Sequence, residues 1–338
     1  MKPINFQDIL LGVAIGDAFG AGIEFMDRDW IRNNVDFSRF VNARYRIPAT
    51  ANEPDIFTRN YTAWDYTDDT EMTLGVIHAL LSHKEFTQDL LITYWTNEYL
   101  KGVKQKGYGR NGHGSMRWVY SGEKTISEVR DFQRNTNYPG NAPVMRAIPL
   151  GLVPENKIDS YAIINANATH PHPKARVASI LIARATYYLL VKQGNPAELI
   201  LYCQEHVKGV DTETDFLLQD INNLPGPEQL LEEQYQILCG PQPIQPPRFL
   251  PGIKGVPSDA MLTAGCILYI LKYINDTFAG LRFAINLGGD VDSVASVCTG
   301  ILASRYGLSS LPEFMIANVE GKIMIESIAG EWEAYFER

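Results

Sequence analysis

Apolar residues recur at helical spacing over most of the chain. Phe6, Ile9, Leu10 and Val13 fall at i, i+3, i+4 and i+7, which marks one face of a helix near the start. Thr67 or Asp68 caps a second helix that carries Met72, Val76, Ile77, Leu80 and Leu81. Thr87 opens a third, with Leu90, Leu91, Tyr94 and Trp95 on one side. Residues 174–190 are apolar nearly all round (Val177, Ala178, Ile180, Leu181, Ile182, Ala185), the pattern of a helix surrounded by other helices. Further helical stretches are 197–207, 213–222, 228–238, 258–274, 277–286, 291–306 and 313–327. Strand-like alternation is scarce, and neither βαβ spacing nor a hairpin series occurs. The expected class is all-α.

Two segments break the pattern. Residues 33–66 hold few periodic apolar positions and several turn formers, so they read as a long loop with room for one short helix. Residues 240–257 contain Pro241, Pro243, Pro246, Pro247 and Pro251. Loops this long inside compact domains are often functional, and the helices beyond are as apolar as those before. The expectation is one domain over 1–338 with a site-lining loop, not two domains and a linker.

Composition narrows the function classes. The 338 residues are 45% hydrophobic and 20% charged, a globular balance. Thirty Lys and Arg against 39 Asp and Glu leave a net charge of −9, which argues against a nucleic-acid polymer or an anionic membrane as partner. No apolar run reaches the roughly 20 residues of a membrane span, and residues 1–8 lack a signal-peptide pattern. The four cysteines (Cys203, Cys239, Cys266, Cys298) show no CxxC spacing, and Cys266 and Cys298 sit in apolar runs. A cytoplasmic, reducing location is expected.

The chemistry lies in the carboxylates. Asp68 and Asp69 stand between Thr67 and Thr70 at a helix start, where capping is the plain explanation. A second cluster, Gly288-Gly289-Asp290-Val291-Asp292-Ser293, again puts two carboxylates and a hydroxyl at a helix start, after a double glycine. Brought together, the two pairs make an oxygen-rich site for a hard divalent cation; without one they would repel and partly protonate. In Gly16-Asp17-Ala18-Phe19-Gly20 and Glu24, an Asp and a Glu occupy a stretch of small residues. Glu24 sits between Ile23 and Phe25, an apolar frame that raises a carboxyl pKa and suits acid–base work; a surface Glu beyond the helix end is the alternative.

These pieces resemble the ADP-ribosylglycohydrolases, a family that includes the dinitrogenase reductase-activating glycohydrolases and the ADP-ribosyl-acceptor hydrolases. The resemblance rests on Gly16–Gly20 with Glu24, Tyr66-Thr67-Asp68-Asp69-Thr70, Gly107-Tyr108-Gly109, Gly140-Asn141 with Met145-Arg146 and Pro149, Thr169-His170-Pro171, and Gly288–Ser293, in family order over nearly the whole chain. It implies a compact single-domain orthogonal helical bundle around a binuclear metal cleft. The implied cofactor is two Mg²⁺ ions, or Mn²⁺, held by Thr67, Asp68, Asp69, Asp290, Asp292 and Ser293. Gly107, Tyr108, Gly109, Gly140, Asn141, Met145 and His170 are implied to line the substrate cleft. Glu24, Asp69 and Asp290 are the implied catalytic carboxylates.

The implied reaction is hydrolysis of the N- or O-glycosidic bond between ADP-ribose and an acceptor, a modified protein or a small compound, by metal-oriented water attack at the anomeric carbon. A monomer suffices for this length and fold. One departure stands out: Ala142-Pro143 follows Gly140-Asn141, and proline removes a backbone donor from a loop that would cradle phosphate. That departure leaves a catalytically silent ADP-ribose binder as the alternative. A Mg²⁺-dependent phosphatase of the haloacid dehalogenase type, suggested by Asp290-Val291-Asp292, would need a parallel α/β sheet. His170 and His172 admit three roles: a turn, a zinc ligand or a substrate contact. Arg146 is either a phosphate partner or a structural cation.

Overall fold

The computed structural model describes residues 3–41, 65–106, 118–119, 122–248 and 251–337, with the side chains of 102–106 excepted. The chain is all-α. Among the described residues no β-strand forms, and the only sheet-like contacts are single bridges from Gly289 to Met26 and to Val256.

The helix Phe6–Ala21 runs through the centre, capped by Asn5, whose side chain accepts from the Asp8 N–H at 2.9 Å. Its glycines recur every fourth residue and face the helix Val291–Tyr306. A Cβ on Gly12 would lie 2.6 Å from the Thr299 carbonyl oxygen, one on Gly16 2.3 Å from that of Ala295, and one on Gly20 2.4 Å from the Asp292 Cα. Here backbone touches backbone, closer than any side chain allows. Around this pair pack Asp68–Leu81, Gln88–Lys106, Ile158–Thr169, Pro173–Thr186, Ala260–Tyr273, Thr277–Ile285 and Lys322–Phe336. One hydrophobic cluster extends through them, from Phe6 to Trp332.

Several stretches differ from the periodicity. The run 313–327 is two helices, Glu313–Asn318 and Lys322–Phe336, because Gly321 takes a left-handed φ of +65° between them. The stretch 228–238 is broken into single turns, Pro227–Gln229 and Glu232–Gln234, before the short helix Tyr235–Cys239. Residues 174–190 hold a helix, Pro173–Thr186, that widens into a π turn at Tyr187–Val191. Arg305 meets the loosened backbone there, donating to the Leu189 carbonyl at 2.7 Å and the Gly194 carbonyl at 3.0 Å. Arg28–Asn34, Ile126–Asn135 and Ile158–Thr169 are helices that the pattern does not announce.

Both expected loops are described in part. Of 33–66, the helix Arg28–Asn34 takes the first two residues, and 42–64 lie outside the described residues. The described residues of 240–257 are irregular, and the segment's ends are tied by Gln242, whose side chain accepts from the Gly255 N–H at 2.6 Å and donates to its carbonyl at 3.1 Å. Among the described residues no helix is long and apolar enough to cross a membrane.

Candidate metal centre

Four segments converge at one end of the central helix pair. The first helix brings Asp17 and then, past its C-terminus, Glu24; the start of Asp68–Leu81 brings Thr67, Asp68 and Asp69; the start of Val291–Tyr306 brings Asp290, Asp292 and Ser293; and the segment before Ile148 brings Asn141. All are buried except Glu24, which is half-buried.

Backbone hydrogen bonds hold the Asp290 turn on both sides. Gly288 and Gly289 adopt φ of +71° and +79°, and a Cβ on either would strike the backbone of Arg28 or Val256. Freed of side chains, Gly289 exchanges hydrogen bonds with its neighbours: its N–H donates to the Met26 carbonyl at 2.9 Å and its carbonyl accepts from Phe25 at 2.8 Å. On the other side Val256 donates to the Gly288 carbonyl and accepts from Asp290, both at 2.8 Å. Arg28 tightens the turn from behind, its Nε donating to the Leu287 carbonyl at 2.9 Å. Glu24, Asp290 and the proline-rich loop are thereby fixed to one another.

The carboxylates form two trios that share a member. Oxygens of Asp17, Asp69 and Asp292 lie within 4.8 Å of one another, and so do those of Glu24, Asp290 and Asp292. The grouping departs from the pairs in the sequence: Asp292 belongs to both trios, Asp17 enters, and Asp68 joins neither. Burial pushes Asp69 and Asp290 well above the usual carboxylate range, and neighbouring carboxylates, Asp292 foremost, push them further. Asp69 Oδ1 is buried with no hydrogen-bond partner. Buried, mutually repelling, all-oxygen donors of this kind fit a divalent cation. Ser293 lies beside them, its Oγ 4.0 Å from the Met145 sulfur.

The nominated substrate-contacting residues divide. Asn141 donates to Asp290 Oδ2 at 3.3 Å and to Thr263 Oγ1 at 3.2 Å, and accepts from Ser258 at 3.1 Å, so it buttresses the acidic turn. Met145 is buried under Ser293 and Thr73. Gly140 faces the His170 ring, where a Cβ would lie 3.1 Å from Nε2. Gly107, Tyr108 and Gly109 lie outside the described residues.

His170 is held neutral: burial, and then the Arg146 charge, push its pKa down to about 3. The Thr169 hydroxyl accepts from Arg146 at 2.7 Å and meets His170 Nδ1 at 2.7 Å. The ring is thereby held at Nδ1, with Nε2 directed toward Gly140. Arg146 is structural. It is wholly buried, stacks 3.6 Å over Trp95 and donates to Asn165 Oδ1, the Asn165 carbonyl and Thr169. His172 is a helix cap, its Nδ1 accepting from Lys174 N–H at 3.1 Å, and among the described residues no histidine joins a metal-competent cluster.

Asp17, which the sequence offers only as part of an acidic, small-residue motif and with no assigned role, is a member of the centre. The signal was present: a carboxylate in the interior of an otherwise apolar, glycine-rich helix.

Comparison with known proteins follows the same lines. The family profile described as ADP-ribosylglycohydrolase matches residues 5–338. "ADP-ribosylhydrolase ARH3" of Gallus gallus is 23% identical over 329 residues, covering 92% of this chain and 87% of that protein. "ADP-ribosyl-[dinitrogen reductase] glycohydrolase" of Rhodospirillum rubrum is 21% identical over 320 residues, covering 93% and 89%. A solved structure titled "ADP-ribosylglycohydrolase-related protein complex" superposes with a TM-score of 0.63 at 21% identity, over 98% of this chain and 99% of that one, which establishes a shared fold.

Proposed function

From the premise that this chain belongs to the ADP-ribosylglycohydrolase family, we propose that it is a metal-dependent hydrolase that releases ADP-ribose from an acceptor, acting as one catalytic unit. The observation that carries this reading is the pair of carboxylate trios joined at Asp292, with Asp69 Oδ1 left unsatisfied. Asp69 on one side of Asp292, and Glu24 with Asp290 on the other, suit two adjacent ions that share Asp292. Mg²⁺ or Mn²⁺ would be held by Asp69, Asp290, Asp292 and Glu24, with the hydroxyls of Thr67 and Ser293 and the Asp68 carboxylate at the margin. Bound there, the ions supply Lewis-acid charge for ribose hydroxyls and for the attacking water.

The remaining work falls to the chain. Asn141 keeps Asp290 oriented through its amide N–H. Glu24, the one half-buried carboxylate of the set, is placed to accept a proton from a water that enters the cleft. His170 presents its neutral ring beside Gly140, a polar contact for the substrate where Pro143 has removed a backbone donor. The substrate is an ADP-ribosylated protein side chain or a small ADP-ribosyl compound.

The test is release of ADP-ribose from a panel of modified acceptors, with Mg²⁺ and after chelation. Asp290→Asn is expected to abolish release while its far-UV circular dichroism matches wild type. Normal turnover in that variant removes the metal role. Tight ADP-ribose binding with no release from any acceptor identifies a silent binder instead.

A further inference from the structure

Asp17 is held by hydrogen bonds on both of its carboxylate oxygens. Its Oδ1 accepts from the Thr67 N–H at 2.9 Å and the Thr67 hydroxyl at 2.7 Å; its Oδ2 accepts from the Thr70 N–H at 2.9 Å and the Thr70 hydroxyl at 2.6 Å, with the Thr67 N–H also 3.0 Å away. A carboxylate offers about four lone-pair sites, and four donors fill them. The helix these donors open, Asp68–Leu81, has no side-chain cap of its own at Thr67. Its cap is supplied by another helix.

We infer that Asp17 is a positioning residue and not a metal ligand: it caps the Asp68–Leu81 helix from the first helix and so spares Asp69 from capping. An Asp in the first turn of a helix ordinarily turns back onto the exposed N–H groups. With Asp17 on the Thr67 and Thr70 groups, Asp69 Oδ1 stays unbonded and aimed at the trio. Asp17 is itself fixed, fully buried one residue after Gly16, where the first helix touches Val291–Tyr306. One carboxylate therefore sets the distance between the two helix starts that carry the site's acids. A ligand role would require it to give up one of four short hydrogen bonds, each to a buried donor that would then go unsatisfied.

This inference rests on the proposed metal centre, and the two are separable by measuring Mn²⁺ binding directly. The purified full chain is titrated with Mn²⁺ and the free ion read by electron paramagnetic resonance, for wild type, Asp17→Asn, Thr70→Val, Thr70→Ser and Asp69→Asn. Asp17→Asn tests the residue itself. Thr70→Val is nearly isosteric, keeps Asp17 and deletes one of its donors, so the test survives if Asp17→Asn does not fold. A positioning role predicts that Thr70→Val, folded by its thermal melt, binds Mn²⁺ roughly tenfold more weakly. It also predicts that Thr70→Ser restores wild-type affinity. A ligand role predicts the reverse, since Thr70→Val frees a lone pair on Asp17; affinity equal to or tighter than wild type overturns the inference and leaves the metal centre intact. Absence of Mn²⁺ binding in wild type overturns both.

Discussion

His170 shows what burial does to one side chain and how to read it in solution. In the folded protein its pKa falls from 6.5 to about 3, while the unfolded chain keeps the ordinary value. Between those values the unfolded state binds the extra proton. The contribution to stability is complete above about pH 6.5 and is lost as pH falls toward about 3. His170→Asn, which keeps a polar atom near the Nδ1 position, is expected to flatten this acid limb. Urea unfolding at pH 7 and pH 4.5 checks it: wild type loses more stability between the two than the variant does. Several site residues were legible as paired charges at helix starts, where capping alone competed as the explanation. Asp290 and Asp292 follow a double glycine, and Asp68 and Asp69 exceed what one helix start needs. Their grouping was not legible, because sequence order pairs neighbours whereas the fold pairs Asp69 with Asp292 and Glu24 with Asp290.

Among the elements, the contact between Phe6–Ala21 and Val291–Tyr306 governs the geometry. Gly16→Ala would place a methyl group 2.3 Å from the Ala295 carbonyl oxygen, so the helices must part. A loss of about 1–3 kcal/mol or more is expected in urea unfolding, with weakened Mn²⁺ binding because Asp292 moves with its helix. Gly330→Ala is the contrasting case: a Cβ there meets nothing within 4 Å on an exposed face of Lys322–Phe336. It should gain roughly 0.5–1 kcal/mol from helix propensity alone. Periodicity reveals helices that bury a broad face and is silent where little is buried. Ile126–Asn135 buries only Val129, and its signature is a capping box between Thr125 and Glu128. Residues 313–327 failed for the opposite reason, since apolar spacing continues through a break that only the backbone of Gly321 records.

For the molecule as a whole, the concentrated acid is a stability liability that metal relieves. Asp69 and Asp290 must shed protons to bind a cation, so metal and protons compete. Adding Mg²⁺ to the chelated protein is expected to raise its melting temperature, and to raise it more at pH 7.5 than at pH 5. At a hundredfold excess over the dissociation constant the gain is about 2.7 kcal/mol. Scanning calorimetry at both pH values checks it; an equal rise, or none, removes the link between these carboxylates and the ion.

The glycine-faced contact between the first helix and Val291–Tyr306 also fixes when the site can come into being. On the ribosome the first helix emerges early, apolar and notched, while its partner is made only in the last part of the chain. Until then Asp17, Glu24 and Asp69 exist without Asp290 and Asp292, and neither trio is complete. An ion held by carboxylates from both parts would find its full ligand set only in a chain whose two distant parts have met.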